Sequence, residues 1–249
     1  PLTPPPGIPE QVARDETYWR KVAARYRIID GTTNLEAGYY GMLAAPVLQA
    51  FHRNIDQVNR ASSYFARREY VAIHNGVKAR VAAMLGAKPS EIAFTRSATE
   101  SLQVLIGQYN GVKAGDTIMY ADIDYMAMQW AMNALAQRTG ATVARFALPE
   151  PGSMESIIAA YTAALDANPG TKLLLLTHCN NKSGLIIPAK ELITLAQRRG
   201  IDVILDAAHS VGHVPLSLPD LGARTPVPAS TRPARSRPKQ LPKPPARSS

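Results

Sequence analysis

The residues best suited to chemistry lie in the stretch 203–213, which reads VILDAAHSVGH. Three aliphatic residues lead into Asp206, and His209 follows three positions later. This pattern predicts a buried parallel strand that ends in polar groups, at the edge where open α/β sheets bind ligands. A carboxylate there could pair with a pyridinium nitrogen and help the ring withdraw electrons from a substrate. The alternative is that Asp206 merely caps the next helix.

A second candidate is the helix start at residues 94–102, which reads FTRSATESL. Ser97 stands three residues before Glu100, the spacing of a capping box. The free amides of the first turn, with the hydroxyls of Ser97 and Thr99, would suit a phosphate group. An ordinary capped helix has the same pattern. No Walker or glycine-rich dinucleotide motif is present, so nucleotide binding has no specific support.

Two more polar clusters follow predicted strands. Tyr125 ends the segment 122–125 (DIDY), and its ring could stack on a planar cofactor or simply pack at the rim. The segment 177–184 (THCNNKSG) adds polar side chains at the same predicted edge, although a single His or Asn in such a loop usually satisfies backbone groups. Because four clusters occur at successive strand ends and at a helix start, together they indicate one site.

The elements that position these residues alternate from residue 91 onward. We predict strands at 92–95, 117–121, 142–147, 172–177 and 201–205, and helices at 98–109, 126–139, 154–167 and 189–199. Such alternation favours right-handed crossovers and an α/β fold with a mostly parallel sheet. Earlier helices are predicted at 11–26, 46–60 and 67–85. The loop 34–41 contains two glycines and two tyrosines, which suits either a close approach to a ligand or a plain turn.

Composition and charge exclude several classes of protein. Of 28 basic and 19 acidic side chains, seven basic and no acidic ones lie in residues 224–249, so the remainder carries a net charge of only +2. We therefore expect no nucleic-acid partner for the body. The single Cys179 excludes an internal disulfide framework and a cysteine-rich zinc site. No stretch is long and apolar enough to predict a membrane span. A cytoplasmic location is the default, but an exported form with its signal removed stays open.

The combination of motifs resembles the class V aminotransferase family. Ser-Ala-Thr-Glu at a helix start, Asp-x-Asp-Tyr, His-x-x-Asn-x-x-Gly and Asp-Ala-Ala-His-x-x-Gly-His occur here in that family's order and spacing. The segments 34–41 and 125–129 look most similar to the isopenicillin N epimerase-like branch. The resemblance covers roughly residues 15–223.

The resemblance implies a pyridoxal-phosphate enzyme of fold type I that acts on an amino acid. It implies a three-layer α/β/α large domain, in which Ser97, Ala98 and Thr99 hold the cofactor phosphate and Tyr125 stacks on the ring. By the same resemblance, Asn181 contacts the ring hydroxyl or the substrate carboxylate, Asp206 holds the pyridinium nitrogen, and His209 approaches the ring hydroxyl. A homodimer is also implied.

One departure from the family pattern concerns the lysine on which its catalysis depends. The family's Schiff-base lysine lies in a Ser/Asn-x-His-Lys motif about two dozen residues beyond the aspartate. Here residues 228–233 (PASTRP) occupy that window without histidine or lysine, while Lys239 and Lys243 lie further on between prolines. Without a positioned lysine, the usual agent of proton transfer at the substrate carbon is missing.

We therefore expect a C-terminally truncated family member that is inactive in this form. The predicted organisation is an N-terminal extension and helix at 1–30, an incomplete cofactor-binding domain at 31–223, and a disordered basic tail at 224–249, with the small C-terminal domain missing. The tail could be a frameshifted reading of a GC-rich gene, or a native segment that contacts acidic surfaces.

Two other classes of function stay open. A non-catalytic protein could keep the phosphate or pyridoxal-phosphate site and lack the chemistry. A metal hydrolase could use Asp206, His209 and His213, because the two histidines are four residues apart and could share a helix face. Gly212 and Pro215 make such a helix poor.

Overall fold

A computed structural model describes residues 2–35, 37–38 and 41–222 of the chain. The predicted tail at 224–249, including Lys239 and Lys243, lies outside the described residues, as do Glu36, Tyr39 and Tyr40 of the loop 34–41. The predicted domain boundary at 30/31 stays a prediction.

The described chain begins with four helices and a π-helical turn, before the alternating helices and strands. The helices are α1 (Pro9–Ala13), α2 (Glu16–Ala23), α3 (Ala45–Tyr64) and α4 (Tyr70–Leu85), and the π-helical turn Phe65–Glu69 joins the last two. The predicted helix at 11–26 is therefore two short helices. They are separated because Asp15 begins the second one, where its carboxylate accepts a hydrogen bond from the Tyr18 amide at 2.9 Å.

The remaining elements alternate as predicted. They are α5 (Ala98–Gly107), β1 (Thr117–Ala121), α6 (Met126–Thr139), β2 (Thr142–Phe146), α7 (Met154–Ala167), β3 (Thr171–Thr177), α8 (Ala189–Arg198) and β4 (Asp202–Asp206). The predicted strand at 92–95 is wrong. Those residues follow a short 3-10 turn and pair with no strand in the described part of the chain.

The four strands form one parallel sheet in the order β2-β1-β3-β4. Alternate side chains of the central strands face opposite layers, as the two-residue period of a strand requires. Ile118 and Leu173 pack with α5 and α6, whereas Met119 and Leu174 pack with α7 and α8. This confirms the predicted three-layer α/β/α architecture. No described helix is both long enough and apolar enough to cross a membrane.

Candidate functional site

The polar clusters predicted from sequence converge at the carboxyl edge of the sheet. Thr177 at the end of β3 pairs with Asp206 at the end of β4, and the His178 amide donates to the Asp206 carbonyl at 2.9 Å. β1 is the other neighbour of β3, so the turn 121–125 lies at the same edge. Three loops therefore meet where a parallel sheet commonly binds a ligand.

The direction of α5 brings its N-terminus to this edge. Near the end of α5, the Tyr109 hydroxyl donates to the Asp202 carboxylate at 2.7 Å, and Asp202 is the first residue of β4. Leu102 and Ile106 pack in the same core cluster as Ile204, which holds the helix along the strand. Because the C-terminal end of α5 lies at the start of β4, its N-terminal end points toward Asp206.

The first turn of α5 is open to solvent at Ser97, Ala98 and Thr99. The Ser97 hydroxyl accepts from the Glu100 amide at 3.2 Å, as the sequence predicts. The Glu100 carboxylate, however, accepts from the Arg96 amide at 2.6 Å, so only half of the predicted capping box forms. The first-turn amides have no intrahelical acceptor, and this end of the helix can bind an anion.

Asp206 is a buried carboxylate with spare hydrogen-bonding capacity. It is 5% exposed, and Oδ1 accepts from the Ala208 amide at 3.0 Å. Burial raises the pKa of this carboxyl, while the Ala208 hydrogen bond and the nearby His209 oppose the rise. Turns follow it at 208–210, so within the described residues it caps a turn and not a helix. Among the described residues no hydrogen bond reaches Oδ2, and a cationic N–H donor at that oxygen would stabilise the charged form.

His209 is half-buried and lies against Gly38. A Cβ placed on Gly38 would lie 2.7 Å from His209 Cε1 and 2.9 Å from Nδ1. Real Cβ atoms do not approach so closely, so only glycine fits at this position unless the imidazole moves. The close neighbour of Gly38 is thus the His209 side chain, and an approach of the loop to a ligand stays a prediction.

The residues proposed for a metal site do not form one in the described part of the chain. Residues 208–210 and 212–213 form turns and not a helix, and the His213 ring nitrogen Nδ1 lies 3.0 Å from the His209 carbonyl oxygen. No cluster of three or more His, Cys, Asp or Glu side chains suited to a metal occurs among the described residues. The metal-hydrolase alternative therefore lacks geometric support.

The turn after β1 buries Asp124, a residue whose own role the sequence did not reveal. It is 3% exposed, and Oδ2 accepts from the Ala121 amide at 2.7 Å. Burial raises the pKa of this carboxyl to about 7, and the charge of Asp206 adds to the rise. The Ala121 amide and Thr177 oppose the shift, although Oδ1 of Asp124 and the Thr177 hydroxyl form no hydrogen bond of ordinary geometry.

Tyr125 follows Asp124 and is the N-cap residue of α6. It is half-buried, and its ring packs against the core cluster beneath α5 and α6. Gln129 stabilises this turn, because its amide donates to the carbonyl of Asp124 at 2.7 Å and to that of Asp122 at 3.1 Å. Part of the aromatic surface is therefore exposed on a well-anchored turn, as stacking on a planar ligand requires.

The loop after β3 separates two adjacent asparagines. Asn181, the predicted ligand contact, is exposed, whereas Asn180 is 3% exposed and fully engaged in the loop. His178 is also buried, with Nδ1 unpaired, and burial lowers its pKa, which favours the neutral imidazole. The prediction that a His or Asn in this loop hydrogen-bonds to backbone groups is thus correct for Asn180. Nδ1 of His178 has no hydrogen-bond partner among the described residues.

Four buried polar atoms at this edge have no hydrogen-bond partner among the described residues. They are Asp124 Oδ1, Thr177 Oγ1, His178 Nδ1 and Ser210 Oγ. Buried polar groups are normally paired, so a cluster of unpaired atoms indicates a place for water or a ligand. Thr177 pairs with Asp206 at the strand ends, and the four residues end or follow β1, β3 and β4 in the chain.

A family comparison agrees with these observations. The Aminotransferase class-V family model matches residues 43–224, and the chain belongs to this family. It is 31% identical over 207 residues to isopenicillin N epimerase of Amycolatopsis lactamdurans, covering 81% of this chain and 51% of that protein. It is 30% identical over 176 residues to cysteine desulfurase of Pectobacterium atrosepticum, covering 63% and 42% respectively.

Solved structures share the fold. The cysteine desulfurase CsdA of Escherichia coli aligns with a TM-score of 0.68 at 22% identity, over 82% of this chain and 52% of that chain. A C-DES variant with glycine covalently linked to its PLP cofactor aligns with a TM-score of 0.64 at 20% identity, over 77% and 51%. The chain spans about half the length of the curated relatives it matches.

Proposed function

We propose that this chain is the pyridoxal-phosphate-binding part of an isopenicillin N epimerase-like enzyme that acts on an amino acid. The observation that carries the proposal is the buried Asp206 carboxylate, of which only Oδ1 is hydrogen-bonded among the described residues, at the edge toward which the open N-terminus of α5 points. Pyridoxal phosphate carries a ring nitrogen at one end and a phosphate at the other. A carboxylate and an anion site at one sheet edge suit these two groups. The glycine-linked PLP in the C-DES structure supports the choice of cofactor.

The described residues fit the cofactor in chemical type. In this proposal the amides of Ala98 and Thr99, with the Ser97 hydroxyl, bind the phosphate. Tyr125 stacks on the ring, Asn181 contacts the ring hydroxyl or the substrate carboxylate, and His209 approaches the ring hydroxyl. The four buried polar atoms that lack a partner among the described residues would add polar groups around the cofactor.

Asp206 has the main electrostatic role in the proposed mechanism. When bound, pyridoxal phosphate draws electrons from the α-carbon of an amino acid through its ring. The Asp206 carboxylate would accept a hydrogen bond from the ring nitrogen and would stabilise the proton on that atom. Since burial raises the pKa of Asp206, a positively charged partner at the ring nitrogen would favour the charged form of the carboxylate.

A binding protein without catalysis is the second candidate, and the absence of the family's lysine motif favours it. Among the described residues, Lys182 is the only lysine in the loops that follow β1, β3 and β4. It is exposed, and it neighbours Asn181. Lys239 and Lys243 are the other candidate amines.

Titration of the purified chain with pyridoxal phosphate, followed by borohydride reduction and peptide mapping, separates the two candidates. For the enzyme we expect one equivalent of label on a single lysine, among Lys182, Lys239 and Lys243. A Lys182→Arg variant keeps the charge but cannot form the adduct, so it identifies or excludes that residue. Saturable binding with no adduct supports the binding protein. Failure to bind contradicts both.

We also propose a homodimer, as the resemblance implies. Val47, Phe51 and Ile55 repeat every four residues on α3 and are each at least 50% exposed. This spacing forms one apolar stripe, and no residue of α3 is buried in the described structure. Such a stripe is typical of an interaction surface.

Sedimentation equilibrium of the purified chain tests the dimer. We expect the wild-type chain to be a dimer. Phe51→Glu should raise the dissociation constant of the dimer at least tenfold, because a charge would be buried in an apolar contact. Gln49→Glu changes an exposed position on the opposite side of α3 and is expected to leave the dimer intact. A monomeric wild-type chain contradicts the proposal.

A further inference from the structure

The Asn180 side chain joins two loops that are distant in sequence. Its Nδ2 donates to the carbonyl oxygen of Ile123 at 2.6 Å, across a separation of 57 residues. Ile123 lies in the turn that presents Tyr125, and Asn180 precedes Asn181. The hydrogen bond therefore connects the segments that carry the proposed ring-stacking and ring-hydroxyl contacts.

The other end of the same side chain organises its own loop. Oδ1 accepts hydrogen bonds from the Lys182 amide at 2.9 Å, the Ser183 amide at 3.0 Å and the Ser183 hydroxyl at 3.1 Å. The backbone of Asn180 also pairs within the loop, with its amide bonded to Leu185 and its carbonyl to Gly184. At 3% exposure Asn180 is buried, and a buried polar group that loses its partner costs free energy.

We propose that Asn180 is a positioning residue that holds the Tyr125 turn and the Asn181 loop together as one unit. This inference rests on the proposed cofactor site for its functional meaning. The turn has other local contacts from Gln129 and Asp124, but these come from α6 and from the turn itself. The Asn180 amide supplies the side-chain hydrogen bond that this turn receives from the loop after β3.

The two ends of the amide can be separated by substitution. Asn180→Asp keeps the acceptor for the Lys182 and Ser183 amides, but it replaces the donor with an oxygen that repels the Ile123 carbonyl. Asn180→Ala removes both functions. Ser183→Ala is the matched control, since it removes one contact to Oδ1 and the acceptor of the Leu185 amide but leaves the bond to Ile123 in place.

Amide hydrogen exchange of the cofactor-free chain measures each loop directly. In the turn, the Asp124 amide bonds to the Ala121 carbonyl and reports on the Ile123 segment. We expect Asn180→Asp to speed its exchange about five- to tenfold, the effect of losing one hydrogen bond, while Lys182 and Ser183 stay protected. Asn180→Ala should expose both segments, and Ser183→Ala should not affect Asp124.

Cofactor binding supplies the second measurement. If the two segments act as a unit, Asn180→Asp weakens pyridoxal-phosphate affinity about tenfold and changes the circular dichroism of the bound cofactor, whereas Ser183→Ala changes neither. Unchanged Asp124 exchange in Asn180→Asp overturns the proposal and limits Asn180 to its own loop. If the exchange result holds but the wild-type chain binds no cofactor, the connection stands and the proposed function fails.

Discussion

Asp124→Asn is expected to raise the free energy of unfolding by about 2–4 kcal/mol at pH 8. In the folded chain, burial raises the pKa of Asp124 from 3.8 to about 7. The folded state therefore holds its proton more tightly than the unfolded state, and stability falls as pH rises from about 4 to about 7. Asparagine carries no charge, retains the acceptor for the Ala121 amide and can donate toward the unpaired Thr177 hydroxyl.

Chemical denaturation at pH 4 and pH 8 measures this effect. At pH 4 the variant and the wild type should agree within about 1 kcal/mol, because the folded wild type is then protonated at Asp124. Asp124→Ala is the control for the hydrogen bond, since it leaves the Ala121 amide unpaired and should cost about 1–3 kcal/mol relative to Asp124→Asn at both pH values. A variant less stable than the wild type at pH 8 would show that Asp124 is ionised and well paired.

Asp206→Ala is expected to weaken pyridoxal-phosphate binding about 10- to 150-fold, the range for a lost charge-assisted hydrogen bond. Asp206→Asn removes the charge with little change of shape, and it should lose most of that affinity as well. The reason is that the amide cannot stabilise a proton on the ring nitrogen as a carboxylate does. Absorbance titration at fixed pH measures the dissociation constants.

The other end of the same strand offers a matched control. Asp202 begins β4, is exposed, and bonds to the Tyr109 hydroxyl away from the proposed site. Asp202→Asn should leave the affinity within about twofold of the wild type. Equal losses in the Asp202 and Asp206 variants would indicate a general effect on the fold, and no loss in either would remove Asp206 from the proposed site.

Local pattern was sufficient for most of the sheet and its helices. The helices at 126–139 and 154–167 were predicted with the bounds that the structure has, and β1 was also predicted with its full range. These segments have strong periodicity and clear ends, such as Gly140 in the left-handed conformation. The segment 92–95 has a strand-like composition, but a strand needs a neighbour to pair with, and none is present in the described structure.

The candidate site was also predictable only in part from local sequence pattern. The sequence by itself determined that Asp206 and Tyr125 lie at strand ends, because a run of apolar residues followed by polar residues can be recognised from the sequence alone. Residue type alone could not distinguish Asn180 from Asn181, which are identical neighbours in one loop, and the choice of Asn181 came from the family motif. Only the tertiary structure decided which is buried, since the Ile123 carbonyl that pairs with Asn180 comes from a turn 57 residues away. The raised pKa of Asp124 likewise depends on burial, a property of packing that its own segment does not contain.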